Sequence, residues 1–355
     1  MSLSLPATWS AGTTLLALAA LVLPVALGLS LMRAVRRRQR GDERDRTRRL
    51  GARMRAHLRG RGSAPALAEA AASATEVEFW GALESRLPRL TRGERRRLGR
   101  LFERGRHLTS ERRALLVESP LRRELAARRL GLLPGPRARR ALRSAFASTP
   151  EVVAYAAARS LARDGDARTL DWLLGRSGLL PRRNARQWSA LLRAFGRRAL
   201  PRLAEAIAEG LEDVRVLRAG VETLGHQRHS AAAPAIERLL LHAEPDVRVA
   251  AAKALGRMAA EPCSNALLLA LKDPEWAVRA QAAWALGRIG REEAVPSLAA
   301  CLTDRAWWVR RHAAYALAAL GRRGADVLRL AAHGSADRYA RDIADEALRS
   351  LQHLA

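Results

Sequence analysis

Lysine is almost missing from this chain: Lys253 and Lys272 are the only two among 63 basic residues, and the rest are arginine. An arginine excess of this kind follows in part from codon usage, so the formal net charge of +28 is discounted before it is read as a partner preference. What remains still favours an acidic partner, whether anionic lipid, nucleic acid or an acidic protein. Cysteine is equally scarce. Cys263 and Cys301 stand alone in 355 residues, which excludes a disulfide framework and suits a reducing compartment. Neither has a histidine partner nearby in sequence, so a thiol nucleophile is unsupported. The eight histidines form no converging set with a carboxylate, as a metal site requires; even His226 and His229 merely flank "QR" in a turn. There is no glycine-rich phosphate loop. No cofactor site is expected, and most enzyme classes lose their machinery on these absences.

Charge is also absent from the first 32 residues. From Leu15 to Met32, "LLALAALVLPVALGLSLM" is almost unbroken apolar sequence, and a bilayer core of about 30 Å needs about 20 helical residues. Pro24 is tolerable in a membrane helix, and Trp9 lies where an interfacial aromatic would sit. Residues 33–62 then carry thirteen arginines and three acids, which by the positive-inside rule stay in the cytoplasm. The expectation is a single-pass cell-membrane (inner-membrane) anchor over 1–32, N-terminus out and the bulk in. A cleaved signal peptide is the competing reading; it lacks a basic leading region, and the arginines after it would resist translocation. Arg33, Arg36, Arg37, Arg38 and Arg40 are expected to contact anionic headgroups, as is 33–62 as a whole. Leu50, Met54 and Leu58 make an amphipathic seam that could lie on the interface, although Gly41, Gly51, Gly60 and Gly62 make any helix there fragile. "SAPA" at 63–66 reads as a linker closing a basic segment over 33–66, and 67–118 as an atypical helical cap of a repeat array.

From 119 to 355 one phrase recurs. "DPEWAVRAQAAWALGRIG" begins at Asp273 and "DRAWWVRRHAAYALAALG" at Asp304. Aligned on the leucine of the "ALG" element, the phrase returns at Leu130, Leu161, Phe195, Leu224, Leu255, Leu286, Leu317 and Leu348, at spacings of 31, 34, 29, 31, 31, 31 and 31. Leu98-Gly99 marks a further, degenerate copy. Val247, Ala250, Ala251, Ala254, Leu255 and Met258 follow the helical i, i+3, i+4, i+7 rhythm, with Gly290 and Gly321 ending the equivalent helices. Leu267, Leu268, Leu271 and Val295, Leu298, Ala299, Leu302 supply a second stripe. Pro234 and Pro296 suit its first turn, while Pro245 and Pro274 separate units. Each unit is thus helix, turn, helix, and neither helix can bury its stripe alone; stacking buries both. The predicted fold is all-α, an α-solenoid of about seven to eight two-helix repeats preceded by one transmembrane helix.

These residues resemble the HEAT-like repeat named after phycocyanobilin lyase, which runs acidic-x-x-Val-Arg-x-x-Ala-x-x-Ala-Leu-Gly. The likeness is close from about Glu244 to Asp304 and recognisable from Pro120 onward. Leu217 departs from it in the arginine column, and the spacings of 34 and 29 imply a loop change near "NARQW". The resemblance implies that Arg248, Arg279, Arg310 and Arg341 belong to a structural ladder with acids such as Asp246 or Glu275. No histidine is followed by glutamate, so the His-Glu pairs of the HEAT-repeat deoxyhypusine hydroxylases are absent. A bilin-lyase-like or oxygenase-like activity borrowed from the family therefore finds no constellation here.

The candidate site is an edge. Trp276, Trp307, Trp308 and Tyr339 open successive first helices beside Arg305, Arg310, Arg311 and Arg338, and aromatics interleaved with arginine suit partner recognition or nucleotide stacking. The structural alternative is that the rings plug gaps between units. Trp284 and Tyr315, two residues before the leucine, are expected to pack. The leading reading is a membrane-anchored, non-catalytic scaffold for a protein partner, with nucleic-acid binding as the second. Against the second, the array's excess of +18 (50 minus 32 over 63–355) falls largely in 63–150 beside the membrane, +10 (19 minus 9).

Overall fold

In the computed structural model the described residues are 11–86, 90–148, 150–164 and 166–352; side chains of the first helix are described from Leu29, apart from 34, 36, 37 and 40. The secondary structure among them is helical throughout, in twenty α-helices with short 3-10 turns. The chain divides into two compact units, residues 1–113 with 132–138, and 114–131 with 139–355.

The first unit begins with one long helix, α1 (Ala11–Leu58), followed by α2 (Ala64–Ser73), α3 (Glu76–Glu84), α4 (Arg92–Phe102) and α5 (Arg106–Val117). Among the described residues no helix is long and apolar enough to cross a membrane; the span expected at 15–32 falls on a part of α1 whose side chains are not described before Leu29. The basic segment corrects two expectations. It is helical straight through Gly41 and Gly51 to Leu58, and "SAPA" is no linker, since Ser63 sits at the N-cap and Pro65 in the first turn of α2. The seam does not face lipid either. Leu50 and Met54 are 5% and 1% exposed, packed where α1 meets α2 and α3. Burying them stabilises the helix that its glycines weaken, at roughly 1.5–3 kcal/mol per large apolar side chain. Capping boxes at Thr75/Glu78 and Thr91/Glu94 start α3 and α4.

In the second unit the helices alternate. α6 (Pro120–Leu130), α8 (Glu151–Ala162), α10 (Ala185–Ala194), α12 (Val214–His226), α14 (Pro245–Met258), α16 (Trp276–Ile289), α18 (Trp307–Ala319) and α20 (Arg338–Gln352) pack one on the next. Between them run α7 (Pro136–Ser148), α9 (Ala167–Leu174), α11 (Leu200–Glu209), α13 (Ala233–Arg238), α15 (Ser264–Ala270), α17 (Val295–Ala300) and α19 (Gly321–Gly334). The eight aligned positions all fall at the C-terminal end of the first series. Leu224, Leu255, Leu286 and Leu317 are fully buried. The spacing of 34 spans a loop carrying a 3-10 turn at Ser177–Leu179; "NARQW" itself is the N-cap and first turn of α10.

The glycine of "ALG" is not a helix stop. A Cβ built on Gly225, Gly256 or Gly287 would lie 2.7–2.8 Å from the Cα of Ala254, Ala285 or Ala316 in the next first helix. Glycine facing alanine is what lets these backbones close up. The stop lies three residues on, where Gly290 takes φ +85° and caps α16 in the left-handed region. Pro245 opens α14 as its first residue, so of the two separators only Pro274 stands outside a helix.

Candidate functional site

The turns that precede the first helices define one edge of the repeats. Each turn is held by arginines, and the hydrogen bonds repeat with the sequence. Arg248 Nη1 donates to the carbonyls of His242 and Ala243, both at 2.9 Å, in the turn before its own helix. Its Nε and Nη2 grip both oxygens of Asp273, in the next turn, at 2.8 and 2.9 Å. Arg279 does the same with the carbonyls of Asp273 and Pro274 (2.8 and 3.1 Å) and the carboxylate of Asp304 (2.7 and 2.9 Å). The acid also closes its own turn, since the amides of Glu275 and Ala306, the N-cap residues of α16 and α18, donate to Asp273 Oδ1 and Asp304 Oδ1 at 2.8 Å. Each aspartate therefore ties three groups together.

This ladder corrects the predicted acids. Asp246 pairs instead with Arg218, and Glu275 caps α16 through the Ala277 amide. The arginine takes the acid of the following turn because Nη1 is already committed to its own, which aims the other edge of the guanidinium across the repeat boundary. Burial works against ionisation of Asp304, but its bonds from Arg279 and the Ala306 amide outweigh that and hold its carboxyl below the usual range.

Beside the ladder stand the predicted aromatics. Trp276, Trp307 and Trp308 are 44%, 47% and 47% exposed, and Tyr339 64%. Rings that wholly filled gaps between repeats would be buried; these four keep roughly half of their surface or more in solvent. Trp307 and Trp308 meet edge to face, centroids 4.6 Å apart. Arg311 lies over Trp307 at 5.6 Å and over Tyr315 at 4.9 Å. Arg310 lies over Tyr339 at 5.1 Å. The predicted arginines differ in availability. Arg305 and Arg338 are exposed, the latter 3.7 Å from Asp342; Arg310 and Arg311 are half-buried, with Arg311 3.6 Å from Glu346.

Trp284 and Tyr315, expected only to pack, are half-buried and line an open groove of about 330 Å³ between α16 and α18, with Gly287, Arg288, Arg311 and His312. His312 Nδ1 donates to the Ala280 carbonyl at 2.8 Å, and Tyr315 Oη donates to Glu346 at 2.8 Å. The sequence signal was available. A glycine between two aromatic positions of successive repeats leaves a trough that only bulky neighbours partly fill.

The remaining candidates are structural. Cys263 and Cys301 are buried, and burial pushes both thiols up to about 11. His107 is buried and stacked on Phe79 at 4.3 Å, its ring 3.0 Å from the Ala71 carbonyl, and burial lowers its pKa. Among the described residues no three of His, Cys, Asp and Glu converge on a position where a metal could bind.

Two family models of HEAT repeats match the chain, over residues 264–349 and 232–261. No curated protein matches it in sequence. Among solved structures, human deoxyhypusine hydroxylase in complex with glycerol is 22% identical, covering 69% of this chain and 96% of its own, with a TM-score of 0.31. The complex of CpcE and CpcF of phycocyanin lyase from Nostoc sp. PCC7120 is 22% identical over 81% of this chain and 94% of that one, TM-score 0.26. A designed armadillo repeat protein in complex with the peptide (KR)4 is 19% identical over 55% and 98%, TM-score 0.38.

Proposed function

We propose that this chain is a non-catalytic adaptor, a HEAT-repeat array that presents the Trp276–Trp308–Tyr339 edge to a protein partner while its N-terminal helix holds it at the cell membrane. The observation that carries the reading is the exposure of four large aromatic side chains, 44–64%, on consecutive turns of one edge. Tryptophan, tyrosine and arginine are the residues that dominate binding energy at protein interfaces. Stacked repeats suit such work, because each contributes one turn to a continuous surface. The absence of a charge before Arg33 and the arginines after it favour a membrane anchor, with residues 33–62 against anionic headgroups and the repeats cytoplasmic. Concentrating a partner at the membrane would be the whole mechanism, with no chemistry of its own.

The test is purification of the full-length protein from detergent-solubilised, nuclease-treated membranes, alongside a Trp307→Ala, Trp308→Ala double variant of matched thermal stability. A stoichiometric protein partner that the wild type retains and the variant loses supports the reading. Equal retention by both moves the interface elsewhere. Co-purification of nucleic acid alone, before nuclease, would replace the adaptor by a nucleic-acid cradle.

A further inference from the structure

One rung of the arginine ladder keeps its cation and lacks its acid. In sequence the acid column reads His242, Asp273, Asp304, Ser335, each 31 residues after the last. The arginine column that faces it from the preceding repeat reads Leu217, Arg248, Arg279, Arg310. At the first rung both members are replaced, and buried Leu217 leaves no cation behind. At the last rung only the acid is replaced. Ser335 keeps the acid's other duty, its hydroxyl accepting from the Asp337 amide at 3.3 Å, but it cannot reach across as a carboxylate does.

Arg310 is nonetheless set as its two predecessors are. Its Nη1 donates to the carbonyls of Asp304 (2.7 Å) and Arg305 (3.5 Å), the same turn positions that Arg279 holds one repeat earlier. Its Nε is buried and, among the described residues, has no hydrogen-bond partner. An unpaired buried donor on a cation is costly, about 1–3 kcal/mol or more for a charged group. The outer part of the guanidinium is reachable, since the residue is only half-buried; Nε itself is covered, so a carboxylate reaches it only as the Tyr339 ring over the guanidinium, 64% exposed, moves aside.

We infer that Arg310 is the receptor for a carboxylate from a partner protein: an aspartate or glutamate side chain in an acidic segment, seated on the Nε–Nη2 edge as Asp273 and Asp304 are seated on theirs. The ligand class follows from the fork, which in the two preceding rungs accepts a planar carboxylate through two parallel bonds. Charge agrees. Arg305 and Arg341 belong to the turns that hold Arg310 and Ser335, since Arg310 Nη1 donates to the Arg305 carbonyl and Arg341 Nη1 to that of Ser335, so an approaching acid is drawn in. Trp307 and Trp308, on the same helix turn that leads into Arg310, give the segment's apolar residues a place to pack. The inference rests on the adaptor reading and specifies what its edge recognises.

Ser335→Asp tests it, because that substitution supplies the acid from within the chain. Selection from a display library of short random peptides is run against full-length wild type, Ser335→Asp, Arg310→Lys and the Trp307/Trp308 double alanine variant. Wild type is expected to select peptides with an invariant Asp or Glu. Those peptides should lose at least tenfold in affinity when that residue becomes Asn or Gln. Ser335→Asp should bind them at least tenfold more weakly and melt at a higher temperature, while Arg310→Lys keeps the charge, loses the fork and also binds at least tenfold more weakly. Selected peptides without an acidic residue, or unchanged binding to Ser335→Asp, overturn the inference. If those peptides still lose binding to the Trp variant, the adaptor edge stands without Arg310. Should no peptide be selected, both fall. A single-stranded oligonucleotide that binds wild type but not Ser335→Asp, with no acidic peptide selected, assigns the fork to phosphate and likewise overturns it.

Discussion

Gly287 and Ala316 are in backbone contact: a Cβ on the glycine would stand 2.7 Å from the alanine's Cα. The same approach recurs between Gly256 and Ala285 and between Gly225 and Ala254, so consecutive first helices are spaced by a side chain that is not there. Gly287→Ala sets two effects against each other. Alanine improves helix propensity by about 1 kcal/mol, whereas overpacking a closed contact costs about 1–3 kcal/mol. The steric term is expected to win. Urea unfolding should show a net loss of about 1–2 kcal/mol. A stabilised variant would mean the helices can part freely. The next repeat has Ala318 at this position, buried at 7% exposure, so there the reverse change, Ala318→Gly, should cost only about 1 kcal/mol of propensity.

That contact also marks how far the sequence could be read. The period and the apolar stripes placed every first helix, because burial of Val278, Ala282 and Leu286 is periodic and period is visible in one chain. Gly287 was visible too, but as part of a phrase, and nothing local separates a glycine that ends a helix from one that touches a neighbour. The ladder shows a similar limit. Arg279 announced an acidic partner, yet Asp273 and Glu275 are near it in sequence and Asp304 is 25 residues away, and only the commitment of Nη1 to the Asp273 carbonyl decides for Asp304. Exposure of Trp307 and Trp308 could not be read at all from spacing, since a ring at a helix start can turn in or out. The seam at Leu50 and Met54 misled for the same reason: an amphipathic stripe fixes what is buried, not what buries it.

Asp304→Asn should test the rung itself. The carboxylate and Arg279 have side chains only 12% and 9% exposed, so breaking the pair strands a half-desolvated cation. Losing one partner of a buried pair costs about 3 kcal/mol. The pH dependence has a definite sign. The folded carboxyl lies below its ordinary value, so the rung's contribution is fully present above the unfolded value, about 4, and is lost as pH falls through the folded one. Thermal melts from pH 7 down to pH 2 should show wild type and Asp304→Asn converging only below about pH 4. A constant gap would mean that the rung's charge contributes nothing.

The two cysteines should be inert at neutral pH. With both thiols pushed up to about 11, about one molecule in ten thousand carries a thiolate at pH 7. Ellman's reagent should modify the native protein no faster than global unfolding permits, and both sites promptly in guanidinium. Rapid labelling of one thiol in the native state would expose a local opening of the α13–α15 or α17 region.

The arginines that follow the uncharged first 32 residues would separate two modes of membrane attachment. An apolar helix inserted in a bilayer holds through burial and ignores salt, whereas headgroup pairing is screened once the Debye length falls to about 3 Å near 1 M salt. Replacing Arg33, Arg36, Arg37, Arg38 and Arg40 by Gln removes about 1 kcal/mol each of attraction to an anionic surface. Flotation with vesicles should then divide the contributions. Full-length protein is expected to float with both neutral and anionic vesicles after a high-salt wash. The Gln variant should float equally well but without preferring anionic lipid. A chain lacking 1–32 should float only with anionic vesicles, and only at low salt. Release of the full-length protein by salt would remove the anchor and leave the helix as a basic arm, in which case the free energy holding the repeats at a surface would be purely electrostatic.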